Sequence, residues 1–447
     1  MRISEEERQI RESLDAGQEF ATDPARLNES LSREVPNPIL DEDDRQSCLG
    51  PDSRRAVTAD VDLLQRAKEK FGRIPGFLAA GPRAALHFDP VSVRSAIVTS
   101  GGVCPGLNTV VDEIVRRHTS YSVSRDPRAG NPSVLGFTNG FRGFVDGTFV
   151  PLNPSITESW PRRGGSVLRQ LRETEKSRPD PEKIVEALRR FAIDVLYVAG
   201  GDGSLQTARE IQRLVGPDGN IAVAHVPKTM DNDIPWVSES FGFQTAIAEA
   251  ARLVNAIRDE AESNNRIAVV EVMGAGMGHT AAHTALASGE IDAVLIPEEG
   301  PIKFERLLDH LDERALGAGR RGYAVILAAE KVQPLLNLDR PAASVLVQEL
   351  ERRFPMRGVA SRVFVNQPKH FIRAVPANCQ DQLYCRQLAN CAVDSALAGY
   401  SGFSVSKWLD HYVMVPFVRT AGRRKHLPLG GMVWKQVQNL TGQPDFA

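Results

Sequence analysis

Gly200-Gly201-Asp202-Gly203-Ser204 and Pro227-Lys228-Thr229-Met230-Asp231-Asn232-Asp233 are two polar loops, each entered from a short, fully apolar run. The first has the composition of a phosphate-binding turn. Glycines let backbone N–H groups approach phosphate oxygens, and the N-terminus of a following helix adds about half a positive charge. The second gathers two carboxylates, a hydroxyl and an ammonium. Phosphoryl transfer to a hydroxyl needs such groups for positioning, charge neutralisation and deprotonation of the acceptor. Each loop also has a plainer reading. A glycine pair after a strand makes an ordinary tight turn, Asp202 suits a helix N-cap as well as a magnesium partner, and Asp231-Asn232-Asp233 suits a solvated Asx-turn. The metal reading of Asp202 has one physical argument in its favour: a carboxylate inside a phosphate loop repels the ligand unless a cation lies between them.

Several elements must hold these loops. Ser95-Ala96-Ile97-Val98-Thr99 is an apolar strand-like run, broken by Gly101-Gly102 and followed by helical spacing from Leu107 to Arg117. Asp180-Pro181 starts a further helix, with Asp as N-cap and Pro in the first turn, and Ile184, Val185, Leu188 and Phe191 form its apolar stripe. Asp194 to Ala199 is continuously apolar after its first residue, as a buried parallel strand is, and leads into Gly200-Gly201. Ile221 to Ala224 precedes the second loop in the same way, and Ile267 to Val272 runs into Met273-Gly274-Ala275-Gly276. Tyr323 to Ala328 adds another strand. Strands alternating with helices at these lengths predict an α/β fold of doubly wound, mainly parallel sheets, whose ligands bind beyond the C-terminal ends of the strands. The 447 residues are enough for two such units. Residues 1–90 are charged and turn-rich without that alternation, and they read as an N-terminal extension. We divide the remainder into 91–267 and 268–447.

Charge and cysteine usage exclude other classes. Lys plus Arg number 54 against 56 Asp plus Glu, a net charge of -2, which argues against a general nucleic-acid or anionic-membrane binder. Five cysteines without Cys-x-x-Cys spacing suggest neither a disulfide framework nor a zinc site. The acidic N-terminus lacks an apolar leader, and no run of about 18 apolar residues occurs, so a cytoplasmic location is expected.

From Val93 to Ala447 the chain resembles the 6-phosphofructokinase family, in particular its long-chain ATP-dependent class. The resemblance is carried by Thr99-Ser100-Gly101-Gly102-Val103-Cys104-Pro105-Gly106, Asn139-Gly140-Phe141-Arg142-Gly143 and the two loops above. It continues through Phe241-Gly242-Phe243-Gln244-Thr245-Ala246, Glu271-Val272-Met273-Gly274, Leu295-Ile296-Pro297-Glu298, Ile372-Arg373-Ala374-Val375-Pro376-Ala377-Asn378 and Thr441-Gly442-Gln443-Pro444-Asp445-Phe446. Lipid and NAD kinases share the Gly-Gly-Asp-Gly turn but lack the Thr-x-Asp-Asn-Asp partner. The resemblance implies that Asp231 is the base for the sugar hydroxyl, with Lys228, Thr229 and Asp233 in the same site and Asp202 on magnesium. Gly102, Phe141, Gly201, Gly203 and Ser204 would serve the phosphoryl donor, and Arg172 the transferred phosphoryl. Met273, Gly274, Glu298, His370 and Arg373 would bind the sugar phosphate. Arg266 would reach it from a neighbouring subunit, which implies a homodimer or homotetramer with shared active sites. Gly203, where pyrophosphate enzymes carry Asp, implies ATP as donor; Lys228 is shared by the pyrophosphate enzymes and the long-chain ATP enzymes.

The chain also departs from the family's pattern. Met-Gly-Arg has become Met273-Gly274-Ala275, which removes a planar fork able to grip phosphate in two places. Arg169, Gln170 and Leu171 stand where the family has small residues before Arg172, and Gln367-Pro368-Lys369-His370 stands where it has Asp-Pro-Thr/Ser-Tyr. These changes fit a kinase with a changed sugar acceptor, in which Arg169 or Lys369 takes over a phosphate contact. They also fit a homologue that binds without turnover. Retention of Asp202, Thr229, Asp231 and Asp233 together favours the kinase.

Overall fold

The computed structural model describes residues 4–41, 48–50, 52–130, 132–170, 179–332, 342–357 and 362–446. The fold is α/β, as the alternation predicts. Its larger sheet has nine strands in the order Arg54–Ala56, Gly76–Ala79, His411–Pro416, Phe403–Trp408, Ala222–Pro227, Val195–Gly200, Arg94–Thr99, Ser133–Phe137, Phe149–Leu152. The five strands from Phe403–Trp408 to Ser133–Phe137 are mutually parallel. Antiparallel pairs finish both edges. A second sheet, wholly parallel, has the order Ala293–Leu295, Ala324–Ala329, Arg266–Val272, Arg362–Asn366.

Continuous apolarity has the expected consequence. Val195–Gly200, Ala222–Pro227 and Ala324–Ala329 are buried at every residue, covered on both faces by helices. The helix Pro181–Arg190 starts where the cap residues say it should, with the Asp180 side chain accepting from the Glu182 N–H, and it buries Ile184, Val185 and Leu188. Two elements run further than their apolar patterns. The helix after the first glycine turn extends over Leu107–Arg125. Its second half buries His118, whose Nε2 meets Ser95 Oγ at 3.2 Å and the Tyr197 hydroxyl at 3.0 Å. The strand before Lys228 reaches Pro227 through a fully buried His225. That imidazole is held by Ser404 Oγ and the Gly200 carbonyl, both at 2.8 Å, and burial pushes its pKa down to about 4. Paired polar groups can be buried at little net cost, and they leave no mark in an apolar pattern.

Residues before Arg94 are tied to the larger sheet. Arg54–Ala56 and Gly76–Ala79 extend it next to His411–Pro416, and the helix Glu5–Ala16 packs beside the helix Val61–Phe71. Trp236, fully buried, stands between Phe20, Phe77 and Trp408 with ring centroids 5.2 to 5.4 Å away. Each such aromatic pair contributes about 0.5–1.5 kcal/mol beyond area burial. The Glu5–Ala16 helix also reaches the Trp236 main chain: Glu6 Oε1 accepts its N–H at 3.2 Å, and Gln9 Oε1 accepts the indole N–H at 3.1 Å.

Candidate active site

Register brings the two loops together. Pro227 pairs with Gly200, and Thr99 with Ala199, so three adjacent parallel strands end level with one another. Beyond their ends lie Gly101-Gly102, Gly201 to Ser204 and Lys228 to Asp233. They line one cleft of about 250 Å³, together with Met273, Ala275 and Arg373 from beyond the second sheet and with Arg424. The helix Asp202–Val215 begins at this cleft with Gly201 as its cap and no capping side chain. Its first N–H groups therefore lack the usual side-chain acceptor. Gly200 is needed for packing, since a β carbon there would lie 2.3 Å from Ser204 Cβ.

Asp202 is the first helical residue and not the cap. Its Oδ1 accepts from the Gly422 N–H and its Oδ2 from Gln206 Nε2, both at 2.8 Å. A carboxylate in the first turn complements the helix dipole. The same carboxylate lines the cleft beside Gly203 and Ser204.

The second loop concentrates charge in a buried place. Thr229 Oγ1 accepts from the Asp231 N–H at 3.0 Å and faces Asp233 Oδ1 at 3.1 Å and Asp231 Oδ2 at 3.4 Å. Among the described residues, the buried Asp231 Oδ1 has no hydrogen-bond partner. Burial, then the charges of Asp233 and Glu330, raise the Asp231 pKa to about 7, against the opposing effect of Lys228 and the Thr229 hydroxyl. A carboxyl in this state can take up a proton near neutrality. Lys228 is itself buried at 5 % exposure, and its Nζ donates to the Gly102 carbonyl at 2.5 Å. Burial lowers its pKa, while Asp231 and Asp233 pull it back up. Gln170, in the segment that departs from the family's pattern, lies against the Gly101 and Gly102 carbonyls, and in the amide orientation that satisfies them its nitrogen donates to both at 2.6 and 3.1 Å. The glycine turn is thus held from two sides.

The remaining candidates are dispersed. Arg373 lies in the cleft, its buried Nε without a partner among the described residues, and a β carbon on Gly102 would sit 3.8 Å from its Nη1. His370, three residues earlier on the short helix Lys369–Arg373, is exposed and outside the cleft lining. Gly274 lies in the turn after Met273, where a β carbon would meet the Met277 carbonyl at 2.5 Å. Glu298 lines a neighbouring hollow, and its Oε1 accepts from the Gly278 and Leu427 N–H groups at 2.9 and 3.0 Å. The Phe141 side chain is fully buried in a core cluster with Phe137 and Phe144, so only its main chain could face a ligand. Arg266 opens its strand at the end away from the cleft, about 23 Å from Met273 at ~3.3 Å per residue, and is 3.5 Å from Glu260. Arg172 lies outside the described residues. Neither Arg169, exposed at φ +60°, nor Lys369 lines the cleft. Arg424 does, and sequence reading missed it. The basic run Arg423-Arg424-Lys425, between Thr420 and Pro428, was its only signal.

Comparison with known proteins agrees with this architecture. A family model described as phosphofructokinase matches residues 94–396. The ATP-dependent 6-phosphofructokinase of Amycolatopsis methanolica is 35 % identical over 398 residues, covering 83 % of this chain and 83 % of the relative. The protein of the same name from Borreliella burgdorferi is 34 % identical over 394 residues, covering 82 % and 84 %. Among solved structures, pyrophosphate-dependent phosphofructokinase from Marinobacter aquaeolei aligns with a TM-score of 0.65 at 21 % identity, over 79 % of this chain and 92 % of that one. Pichia pastoris phosphofructokinase in the T-state aligns at 0.60 and 22 %, over 73 % and 35 %. Identities this low speak to fold alone. With the family model matching well over half of the chain and these relatives above 30 % identity across most of it, the chain belongs to the phosphofructokinase family.

Proposed function

We propose that this protein is a kinase that moves the terminal phosphoryl group of ATP to a hydroxyl of fructose 6-phosphate or a related ketose phosphate. The observation that carries the reading is the buried Oδ1 of Asp231, without a partner among the described residues, on a carboxyl with its pKa raised to about 7 that lines the cleft shared by both loops. Asp231 takes the proton of the acceptor hydroxyl as the oxygen attacks. Thr229 fixes the carboxylate's orientation, and Lys228 balances the charge that develops beside it. The glycine turns and the start of the Asp202–Val215 helix receive the donor's phosphates. Arg373, with its free Nε, serves the phosphate of the acceptor, and Met273 and Glu298 shape the sugar site from the second unit.

Asp202 suits a magnesium ion held by one carboxylate, waters and the donor's own phosphates, a mode that needs no protein cage. Bound there, the ion would neutralise charge on the phosphates during transfer. Arg266 lies too far from the cleft to act within one subunit, so we assign it to a neighbour's site in a homodimer or homotetramer. Analytical ultracentrifugation should find a dimer or larger at the concentrations used for assay; a stable, fully active monomer would refute the assignment. A cytoplasmic location accords with this metabolism. Among the described residues no helix is long and apolar enough to cross a membrane.

The test is a panel of sugar phosphates offered with ATP and with pyrophosphate, the product being identified by NMR. Turnover above an Asp231→Asn control supports the kinase. No turnover with any acceptor sinks it, and turnover with pyrophosphate alone would reassign the donor. Gly203→Asp adds a carboxylate where ATP needs space, and kcat/KM for ATP should fall at least tenfold, on the order of a 1.4 kcal/mol loss or more. Unchanged ATP kinetics would mean that Gly203 is not at the donor.

A further inference from the structure

Ala275 occupies the wall of the cleft at φ +51°, with no cationic side chain of its own. Its carbonyl oxygen accepts a hydrogen bond at 2.8 Å from Arg424 Nη1, which reaches in from a part of the chain almost 150 residues away. The same Nη1 is 3.9 Å from Asp233 Oδ2. The other N–H groups of this guanidinium, on Nε and Nη2, have no protein partner among the described residues, and the side chain is 43 % exposed at the cleft. The main chain on either side is anchored to the site's carboxylates and turns. The Gly422 N–H donates to Asp202 Oδ1 at 2.8 Å, the Lys425 N–H to the Asp233 carbonyl at 2.8 Å, and the Leu427 N–H to Glu298 Oε1 at 3.0 Å. Lys425 Nζ is fixed as well, donating to Asn232 Oδ1 at 3.0 Å and the Val237 carbonyl at 2.6 Å. An arginine fork is thus carried on a strapped-down backbone, near Asp233, with most of its donors unused among the described residues.

We propose that Arg424 supplies the guanidinium that the Met273-Gly274-Ala275 turn lacks, and that it binds the oxygens of the phosphoryl group being transferred. Lysine at 425 cannot do this, since its ammonium is turned away into the Asn232–Ser238 loop. Arg373 also lines the cleft, near Gly102, so two arginines are available to it. A planar fork with several free donors suits a phosphoryl group, whose charge is spread over equatorial oxygens as transfer proceeds. Because Ala275 already has a β carbon on a left-handed backbone, an arginine placed there would add side chain without adding backbone strain. The two positions should therefore be interchangeable as the source of the fork.

This inference rests on the kinase reading, and the experiment keeps the two apart. Arg424→Gln retains a donor for the Ala275 carbonyl but removes the charge and the fork. It should lower kcat about 100-fold with the KM for the sugar phosphate changed less than tenfold, the pattern of a contact made in the transition state. Arg424→Ala should behave alike, and Arg424→Ala with Ala275→Arg should recover at least tenfold of the loss. Arg424→Gln with kcat within threefold of the wild type, or a double variant no better than Arg424→Ala, would overturn the proposal. If the wild type turns over no acceptor, the kinase reading is what fails. Calorimetry with magnesium and a non-hydrolysable ATP analogue then decides for Arg424: tenfold weaker binding by Arg424→Gln supports the phosphate contact, and unchanged binding removes it.

Discussion

Asp231→Asn is expected to lower kcat roughly 10³-fold while leaving the fold intact, because the amide fills the same volume but cannot accept the acceptor's proton. The buried Oδ1 without a partner is the reason for so large an effect. Oriented and desolvated, that oxygen has no competing hydrogen bond to give up as it takes the proton. The pH dependence of the wild type gives the same residue a second readout. Burial and the neighbouring carboxylates raise Asp231 to about 7, so the free enzyme carries a growing fraction of the working carboxylate as pH rises toward neutrality. kcat/KM should accordingly climb with pH, bend near 7 and then level off. A profile flat from pH 5 to 8, or an Asp231→Asn enzyme within tenfold of the wild type, would remove Asp231 from the role of base. Circular dichroism and a melting curve of the variant separate loss of chemistry from loss of fold.

Lys228→Met should cost about 10²–10³ in kcat/KM, the range found when a preorganised donor is taken from developing charge. The ammonium is buried, bonded to the Gly102 carbonyl, and its positive charge favours the ionised form of Asp231. Methionine fills the space and removes the charge. Besides slowing transfer, this removes an influence that lowers the Asp231 pKa, so the bend in the pH profile should move upward. Steady-state kinetics between pH 6 and 9 would reveal both effects. A rate loss with no movement of the bend would place the Lys228 charge on the phosphates alone; no rate loss would exclude it from the site.

Much of the site could be read from the chain because its loops follow strands whose apolarity is unbroken. Val195–Gly200 and Ala222–Pro227 carry few polar groups, the Tyr197 hydroxyl and His225, and their register alone sets the two loops side by side. The N-terminal strands were illegible for the opposite reason. Arg54–Ala56 and Gly76–Ala79 are three and four residues long, too short for a period to show, and they gain their place only from pairing with His411–Pro416. Arg424 escaped because its position depends on a tertiary strap between Gly422 and Leu427 and not on any local pattern. A basic triplet in a turn usually marks a solvated surface, and the bonds that aim this one into the cleft come from Asp202, Asp233 and Glu298, all distant in sequence. Asp202 lines the cleft, and its alternative as an N-cap misses by one position, since Gly201 holds that place.

Trp236 lies three residues beyond Asp233, in a left-handed backbone conformation at φ +62°, and its main-chain and indole N–H groups are both claimed by the helix Glu5–Ala16. The family match begins only at residue 94. The part of the chain that sets the pose of the catalytic turn from behind therefore lies outside the part that defines the family. A core excised at that boundary would inherit the reagents but not the vice that holds them, and the same two aspartates grafted onto another member's frame would need a new brace.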